Sequence, residues 1–374
     1  MLREGGCFLS QETYYLDNLL DQGLSGRPVS PEKIMFLLNL NKDEDLEKLF
    51  QAARDRRERY FGQKIFLYGF IYFSTWCRND CTFCYYRRSN PESNRYRKNV
   101  DETIEAAVRL KESGVHLIDL TLGEDPFYQR QKGFDDLADL ISQVKRETKL
   151  PVMISPGVVP EDALKKLAAA GADWYACYQE THSKVLFNKL RIDQSYDARL
   201  HSKKMALKAG MLVEEGLLTG VGESLSDILI SLEHMSRMGA RQVRVMSFVP
   251  QKGTPMEGWR TSSRVQELKV IAVMRLLFPD RLIPASLDVD GIDGLQDRIK
   301  AGANVVTSLI PPQLGFAGVA QNSKDINEGY RTVYEVIPIL EQMGLTAASP
   351  GEYRSWVNRE KDKLRESNYK TKGA

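Results

Sequence analysis

The chain has little of what would tie it to a membrane, a nucleic acid or a disulfide framework. No run of about 18 apolar residues occurs, so no spanning helix is expected. The opening stretch MLREGGCFLSQETYYLDNLLDQG carries Gln, Asp and Glu where a secretory signal needs an apolar centre. With 52 basic and 50 acidic residues, the net charge is only +2. No broad attraction to nucleic acid or anionic lipid follows from that balance. Cysteine is scarce as well, with five in 374 residues. An odd and clustered set does not look like a disulfide scaffold. The expectation is a soluble cytoplasmic protein.

What the chain does have is a long alternation. Residues 1–62 read as a polar N-terminal helical extension, with a Ser–Pro start at SPEKIMFLLNL and helical apolar spacing in DEDLEKLFQAARDRRERYFG. From 63 to 345, β-rich runs alternate with amphipathic segments. The runs cover 65–75, 116–123, 151–157, 173–180, 211–222, 242–250, 281–288 and 303–311. Between them lie segments such as PEDALKKLAAAG (160–171) and SLSDILISLEHMSRMG (224–239), the latter apolar at 225, 228, 229, 232 and 235 on one helical face. Eight strand–helix units predict an α/β fold, a (β/α)8 TIM-type barrel. An open doubly wound sheet or partial barrel is the alternative. Residues 346–374 read as a C-terminal helix and charged tail, with REKDKLRESNYKTKGA expected to be a solvated end.

Three of the five cysteines fall within CRNDCTFCYY, residues 77–86. In a barrel, this is the loop after the first strand, at the end where active sites form. Three thiolates from one loop suit a soft metal or an iron–sulfur cluster. A structural zinc site wants four ligands, but Cys7 and Cys177 are distant and no histidine falls between 77 and 115. Three ligands and an open position fit a cubane cluster with one iron left free. A chance grouping of structural thiols is the plain alternative. Other strand ends place Gly123, Glu124, Ser155, Gln179 and Glu180 at the mouth. Asp119, Arg244 and Asp288 are charges inside apolar strands, which is costly unless they are paired or bind a ligand. Together with Ser286 they complement a carboxylate with two ammonium groups, as in a diamino acid. An internal salt-bridge network would explain them equally.

Cys-x3-Cys-x2-Cys after a first barrel strand, with Phe83 before the last cysteine, resembles the radical S-adenosylmethionine superfamily. The resemblance implies a [4Fe–4S] cluster on Cys77, Cys81 and Cys84. Its fourth iron would chelate S-adenosylmethionine, and one-electron reduction would yield a 5′-deoxyadenosyl radical. LTLGEDP (120–126) is similar to the superfamily's Gly–Glu motif, which implies that Gly123 and Glu124 help hold the methionine amino group. SYDARLHSKKMALKAGM is similar to a segment of biotin-synthase-like members, which implies that Arg199 pairs with the methionine carboxylate. Ser155, Gln179 and Glu180 would complete the cosubstrate rim. Sulfur insertion of the biotin-synthase type is not expected, because only Cys7 and Cys177 remain for a second cluster.

The segments FIYFSTWCRNDCTFCYYRRSNPESNRYR, LTLGEDPFY, MISPGV, YQET, LLTGVG, VRVMSFVPQKGTP and LIPASLDVDGIDG resemble, in this order, the methylornithine synthase family. The likeness spans about residues 30–345. It implies isomerisation of L-lysine to (3R)-3-methyl-D-ornithine, the first step of pyrrolysine biosynthesis. Hydrogen loss at Cγ, Cα–Cβ fragmentation and recombination at Cγ would follow from the radical. By the same resemblance, Arg244 holds the substrate carboxylate, and Asp119, Ser286 and Asp288 hold the amino groups. A one-electron reductant of unspecified identity is required. Two other readings stay open: another radical enzyme of the biotin-synthase-like subgroup (an amino acid lyase or a hydrogenase-cofactor maturase), or a non-enzymatic iron–sulfur scaffold.

Overall fold

Every one of the eight β-rich runs becomes a strand in the computed structural model, which describes residues 14–21, 30–311, 313–320 and 331–370. They are β1 Lys64–Ser74, β2 Leu117–Leu122, β3 Val152–Ser155, β4 Trp174–Ala176, β5 Leu212–Thr219, β6 Gln242–Ser247, β7 Pro284–Ser286 and β8 Val305–Leu309. The sheet order is β6-β5-β4-β3-β2-β1-β8-β7, and each adjacent pair is parallel. The remaining seam between β6 and β7 is closed by the Val243 amide donating to Leu282 O and the Leu282 amide donating to Arg241 O, both at 3.0 Å. The sheet is therefore a barrel, not an open doubly wound layer.

Parallel strands covered by helices bury both faces and so read as continuous apolar runs. β1 follows that rule: beyond Lys64, every residue of KIFLYGFIYFS is buried. The outer helices start where the sequence supplies caps. Asn99 and Glu102 form a reciprocal capping box at Val100–Ser113, and Ser224 and Asp227 form another at Leu225–Met238. No helix of the described residues is long and apolar enough to cross a membrane.

Helices Pro31–Leu38 and Asp43–Phe61 lie outside the barrel against helix Arg264–Leu277. Lys269 Nζ donates to Leu38 O at 2.8 Å and Arg57 Nη1 to Ile299 O at 2.6 Å. At the other terminus, β9 (Thr346–Ala347) pairs with the start of β1. A helix, Pro350–Lys370, then crosses the N-terminal end of the barrel. Tyr353 hydroxyl meets Tyr68 hydroxyl at 2.7 Å, and Trp356 stacks on Trp174 at 6.0 Å. The expected solvated end is thus partly docked. Glu360 is buried against Arg241, and Lys361 reaches Asp173 at 2.9 Å. Only residues 371–374 of that segment, like Cys7 at the other end, lie outside the described residues. With one end plugged by tyrosine and tryptophan, the opposite end is left to form a site.

Candidate active site

The open end is a deep cavity at the C-terminal ends of the strands, with about 1270 Å³ of empty space, its mouth included. Cys77, Cys81 and Cys84 line one wall, and none is in a disulfide. The loop that carries them comes close to the end of β2. The Arg78 amide donates to Glu124 O at 2.9 Å. Gly123 is required at this junction, because a methyl group there would run into Trp76 O and lie 2.9 Å from Cys77 Cβ.

Three thiols from one loop facing the same cavity are the donor set of an iron–sulfur cluster with one iron left open. The sulfurs also sit among donors: the Asn79 amide is 3.5 Å from Cys77 Sγ, Gln194 Nε2 is 3.0 Å from Cys81 Sγ and Arg191 Nη1 is 3.4 Å from it. Such donors suit sulfur that carries negative charge. Burial, with the neighbouring cysteines adding to it, pushes the Cys77 thiol up to about 11 and the Cys84 thiol further still. Coordination to a cation is what would favour the thiolates here. The residues present therefore fit an iron–sulfur cluster.

Beside the cysteines lies a charged rim. Glu124 is clasped by Arg199 Nη2 at 3.0 Å, Arg78 Nε at 3.1 Å and the Val158 amide at 3.1 Å. Burial works to raise this carboxyl, but Arg199, the amide and Arg78 outweigh it and hold it below its usual value. Gly157, at φ +75°, makes room for it, since any Cβ there would overlap the Glu124 side chain. Arg199 also donates to Cys177 Sγ at 2.9 Å and to Gln194 Oε1 at 2.9 Å. Glu180, itself at φ +66°, pairs with Arg191 at 2.7 Å.

Deeper in, the barrel interior carries a second set. Arg244 Nε donates to Glu214 at 2.6 Å, and Tyr178 hydroxyl donates to the same carboxylate at 2.8 Å. Asp288 accepts from Tyr72 hydroxyl at 2.7 Å, Arg331 Nη2 at 2.8 Å and Ser308 hydroxyl at 2.7 Å. Asp119 accepts from Thr121 hydroxyl at 3.0 Å and Ser155 hydroxyl at 3.3 Å, both on Oδ1. Two buried atoms of opposite character are left over: Asp119 Oδ2 and Arg244 Nη2 have no hydrogen-bond partner. Burial, with Glu214 nearby, pushes the Asp119 carboxyl up to about 7.

The structure brings together on the cavity wall Cys77, Cys81, Cys84, Gly123, Glu124 and Ser155. Glu180, Arg199, Asp119, Arg244 and Asp288 join them there. Two expected residues do not line it. Gln179 points away, donating to Tyr196 O at 3.2 Å and accepting from Lys203 at 3.0 Å, because neighbours along an extended chain alternate between faces. Its flanking residues Tyr178 and Glu180 are the ones that face the cavity. Ser286 lies behind Asp288, where its hydroxyl accepts the Asp288 amide at 3.4 Å. His116 is packing: its Nδ1 accepts the Leu67 amide at 2.9 Å and its ring stacks on Tyr353. Cys177 is buried and also reaches the cavity wall. Sequence reasoning passed over Glu214, Arg331, Arg191 and Gln194. The signal for Glu214 was present, as an acidic pair inside the apolar strand LVEEGLLT.

Residues 71–235 match the profile of the radical SAM superfamily. The chain is 45% identical over 339 residues to 3-methylornithine synthase of Methanosarcina barkeri, covering 91% of this chain and 96% of the relative. A crystal structure of methylornithine synthase superposes with a TM-score of 0.85 at 44% identity, covering 90% of this chain and 99% of that one. The [FeFe] hydrogenase maturase subunit HydE of Thermotoga maritima is 30% identical over 286 residues, 76% of this chain and 81% of that protein.

Proposed function

The chain belongs to the 3-methylornithine synthases of the radical S-adenosylmethionine superfamily, and from that premise we propose that its cavity isomerises L-lysine to (3R)-3-methyl-D-ornithine. The observation that carries the substrate reading is the pair of buried, unpartnered atoms, Asp119 Oδ2 and Arg244 Nη2. Buried polar groups without partners are costly. A ligand with an ammonium at one point and a carboxylate at another removes both costs together.

Cys77, Cys81 and Cys84 would hold the [4Fe–4S] cluster, with Glu124, Glu180 and Arg199 on the adjoining rim for S-adenosylmethionine. When bound, the cluster supplies the electron that releases a 5′-deoxyadenosyl radical from S-adenosylmethionine. Everything else falls to the chain's own residues. Arg244 turns Nη2 to the substrate carboxylate, while Glu214 and two ring faces, Phe70 at 5.9 Å and Tyr178 at 5.5 Å, fix the guanidinium plane. Burial would weaken this charge, but Glu214 and Tyr178 reinforce it. Asp119 takes an ammonium on Oδ2. Asp288 has three donors on a group with about four acceptor positions, so one position stays open for the second ammonium.

Holding both ends of lysine has a mechanistic purpose. The isomerisation breaks Cα–Cβ and joins Cα to Cγ, so for a moment the substrate is two pieces. One piece keeps the carboxylate and α-amino group, and the other keeps the terminal amino group. A site that grips charges at both ends retains both pieces at reacting distance. The closed wall of Phe70, Tyr72, Tyr86 and Leu217 keeps water from them.

The raised Asp119 carboxyl makes the proposal testable by pH. Ammonium binding needs the carboxylate, so protons compete with lysine below about pH 7. Lysine affinity is expected to fall about tenfold for each pH unit below that value, as measured by anaerobic calorimetry. Asp119→Asn should bind weakly and without that slope. Equal lysine affinity at pH 6 and pH 8 in the parent protein would remove Asp119 from the substrate site.

A further inference from the structure

The three cluster cysteines are not equally served by their surroundings. Cys77 and Cys84 are met by main-chain amides, those of Asn79 (at the long distance of 3.5 Å) and Glu124 for Cys77 and that of Tyr86 for Cys84. Cys81 is the most buried of the three, and two side chains from a single distant segment converge on its sulfur. Gln194 Nε2 lies at 3.0 Å and Arg191 Nη1 at 3.4 Å. The same segment is stitched to the cysteine loop by its backbone, with the Thr82 amide donating to Leu190 O at 2.9 Å. The Arg191 guanidinium also lies 5.4 Å from the ring of Phe83, inside the cysteine motif.

Neither donor is free to choose its direction. Arg191 is buried, and its Nη2 is committed to Glu180 at 2.7 Å and Tyr178 O at 3.0 Å, which leaves Nη1 aimed at Cys81. Gln194 Oε1 accepts from Arg199 Nη2 at 2.9 Å, which settles which end of the amide faces the sulfur. Two donors held this way, on one sulfur, are more than packing requires.

Resting on the reading of Cys81 as a cluster ligand, we infer that Arg191 and Gln194 set the reduction potential of the cluster through the Cys81 sulfur, and that Glu180 and Arg199 are the positioning residues that aim them. Reduction adds negative charge to the cluster and its sulfurs. N–H donors and a cation directed at a ligand sulfur stabilise that added charge, and hydrogen bonds to sulfur are among the levers that tune such potentials. The arrangement therefore makes the cluster easier to reduce. It also links Cys81 to the rim residues Glu180 and Arg199, one bond removed on either side.

The test is an anaerobic EPR-monitored redox titration of the reconstituted protein, with iron and sulfide counted in every sample. Arg191→Met, at full iron content, is expected to shift the midpoint downward by about tenfold in the reduction equilibrium, or about 59 mV for a one-electron couple. Gln194→Leu should shift it the same way by less, and Arg191→Lys should recover part of the loss. If Arg191→Met fails to hold iron, Gln194→Leu decides alone. Parent-like midpoints in fully loaded Arg191→Met and Gln194→Leu would overturn the inference. Failure of the underlying reading looks different: Cys81→Ala would then retain a four-iron cluster with an unchanged spectrum.

Discussion

Cys84→Ala is expected to lose the visible absorbance of the cluster and all measurable turnover, while the barrel remains folded. The first two losses share a cause. Three thiols on one loop are the whole protein contribution to the proposed cluster, and the nearest further cysteine on the cavity wall, Cys177, is engaged by Arg199 at 2.9 Å. Without the cluster, no radical is generated, and the acceleration forfeited is the enzyme's entire contribution, at least ~10⁶-fold. The fold should survive because Cys84 belongs to a loop beyond β1, outside the apolar core that closes the barrel. Iron analysis, absorbance and far-ultraviolet circular dichroism on one preparation check all three statements. A Cys84→Ala protein with four irons and parent-like turnover would remove Cys84 from the ligand set.

Glu214→Ala is expected to damage stability and substrate binding together. Glu214 and Arg244 form a pair at 2.6 Å, both buried, and Tyr178 hydroxyl donates to the same carboxylate. Removing one member of a buried pair strands the other charge, at a cost of about 3–5 kcal/mol. A guanidinium no longer fixed at Nε also loses the orientation that presents Nη2 to a carboxylate. Glu214→Gln keeps a hydrogen-bond acceptor and should lose less of both. Denaturant unfolding gives the first loss and lysine binding the second. Stability within about 1 kcal/mol of the parent, with normal lysine affinity, would show that the pair does not support the site.

How much of this was legible beforehand depends on the scale of the feature. The barrel was visible because each strand is a short apolar run, and β1, buried on both faces, is the plainest example. The cysteine loop was visible because its spacing is local. Gln179 was misplaced because a strand end alone does not say which neighbour faces inward. One residue either way, Tyr178 and Glu180, gives the opposite answer. Glu214 and Glu215 show the same alternation: the first faces Arg244 inside the barrel, and the second faces Lys203 outside it. Arg331 could not be foreseen, because its partner Tyr72 is 259 residues away in the chain and nothing local marks the pairing. REKDKLRESNYKTKGA reads as a solvated end because it is highly charged, but most of it continues the C-terminal helix, which is anchored just upstream. Its few apolar anchors, Tyr353, Trp356 and Val357, are what dock it.

Lysine isomerisation is tested most directly by mass spectrometry on the anaerobically reconstituted protein, supplied with a reductant, S-adenosylmethionine and isotopically labelled L-lysine. A labelled product of unchanged mass and altered retention is expected, absent when S-adenosylmethionine is omitted. Cleavage of S-adenosylmethionine with the labelled lysine recovered intact would contradict lysine as the substrate.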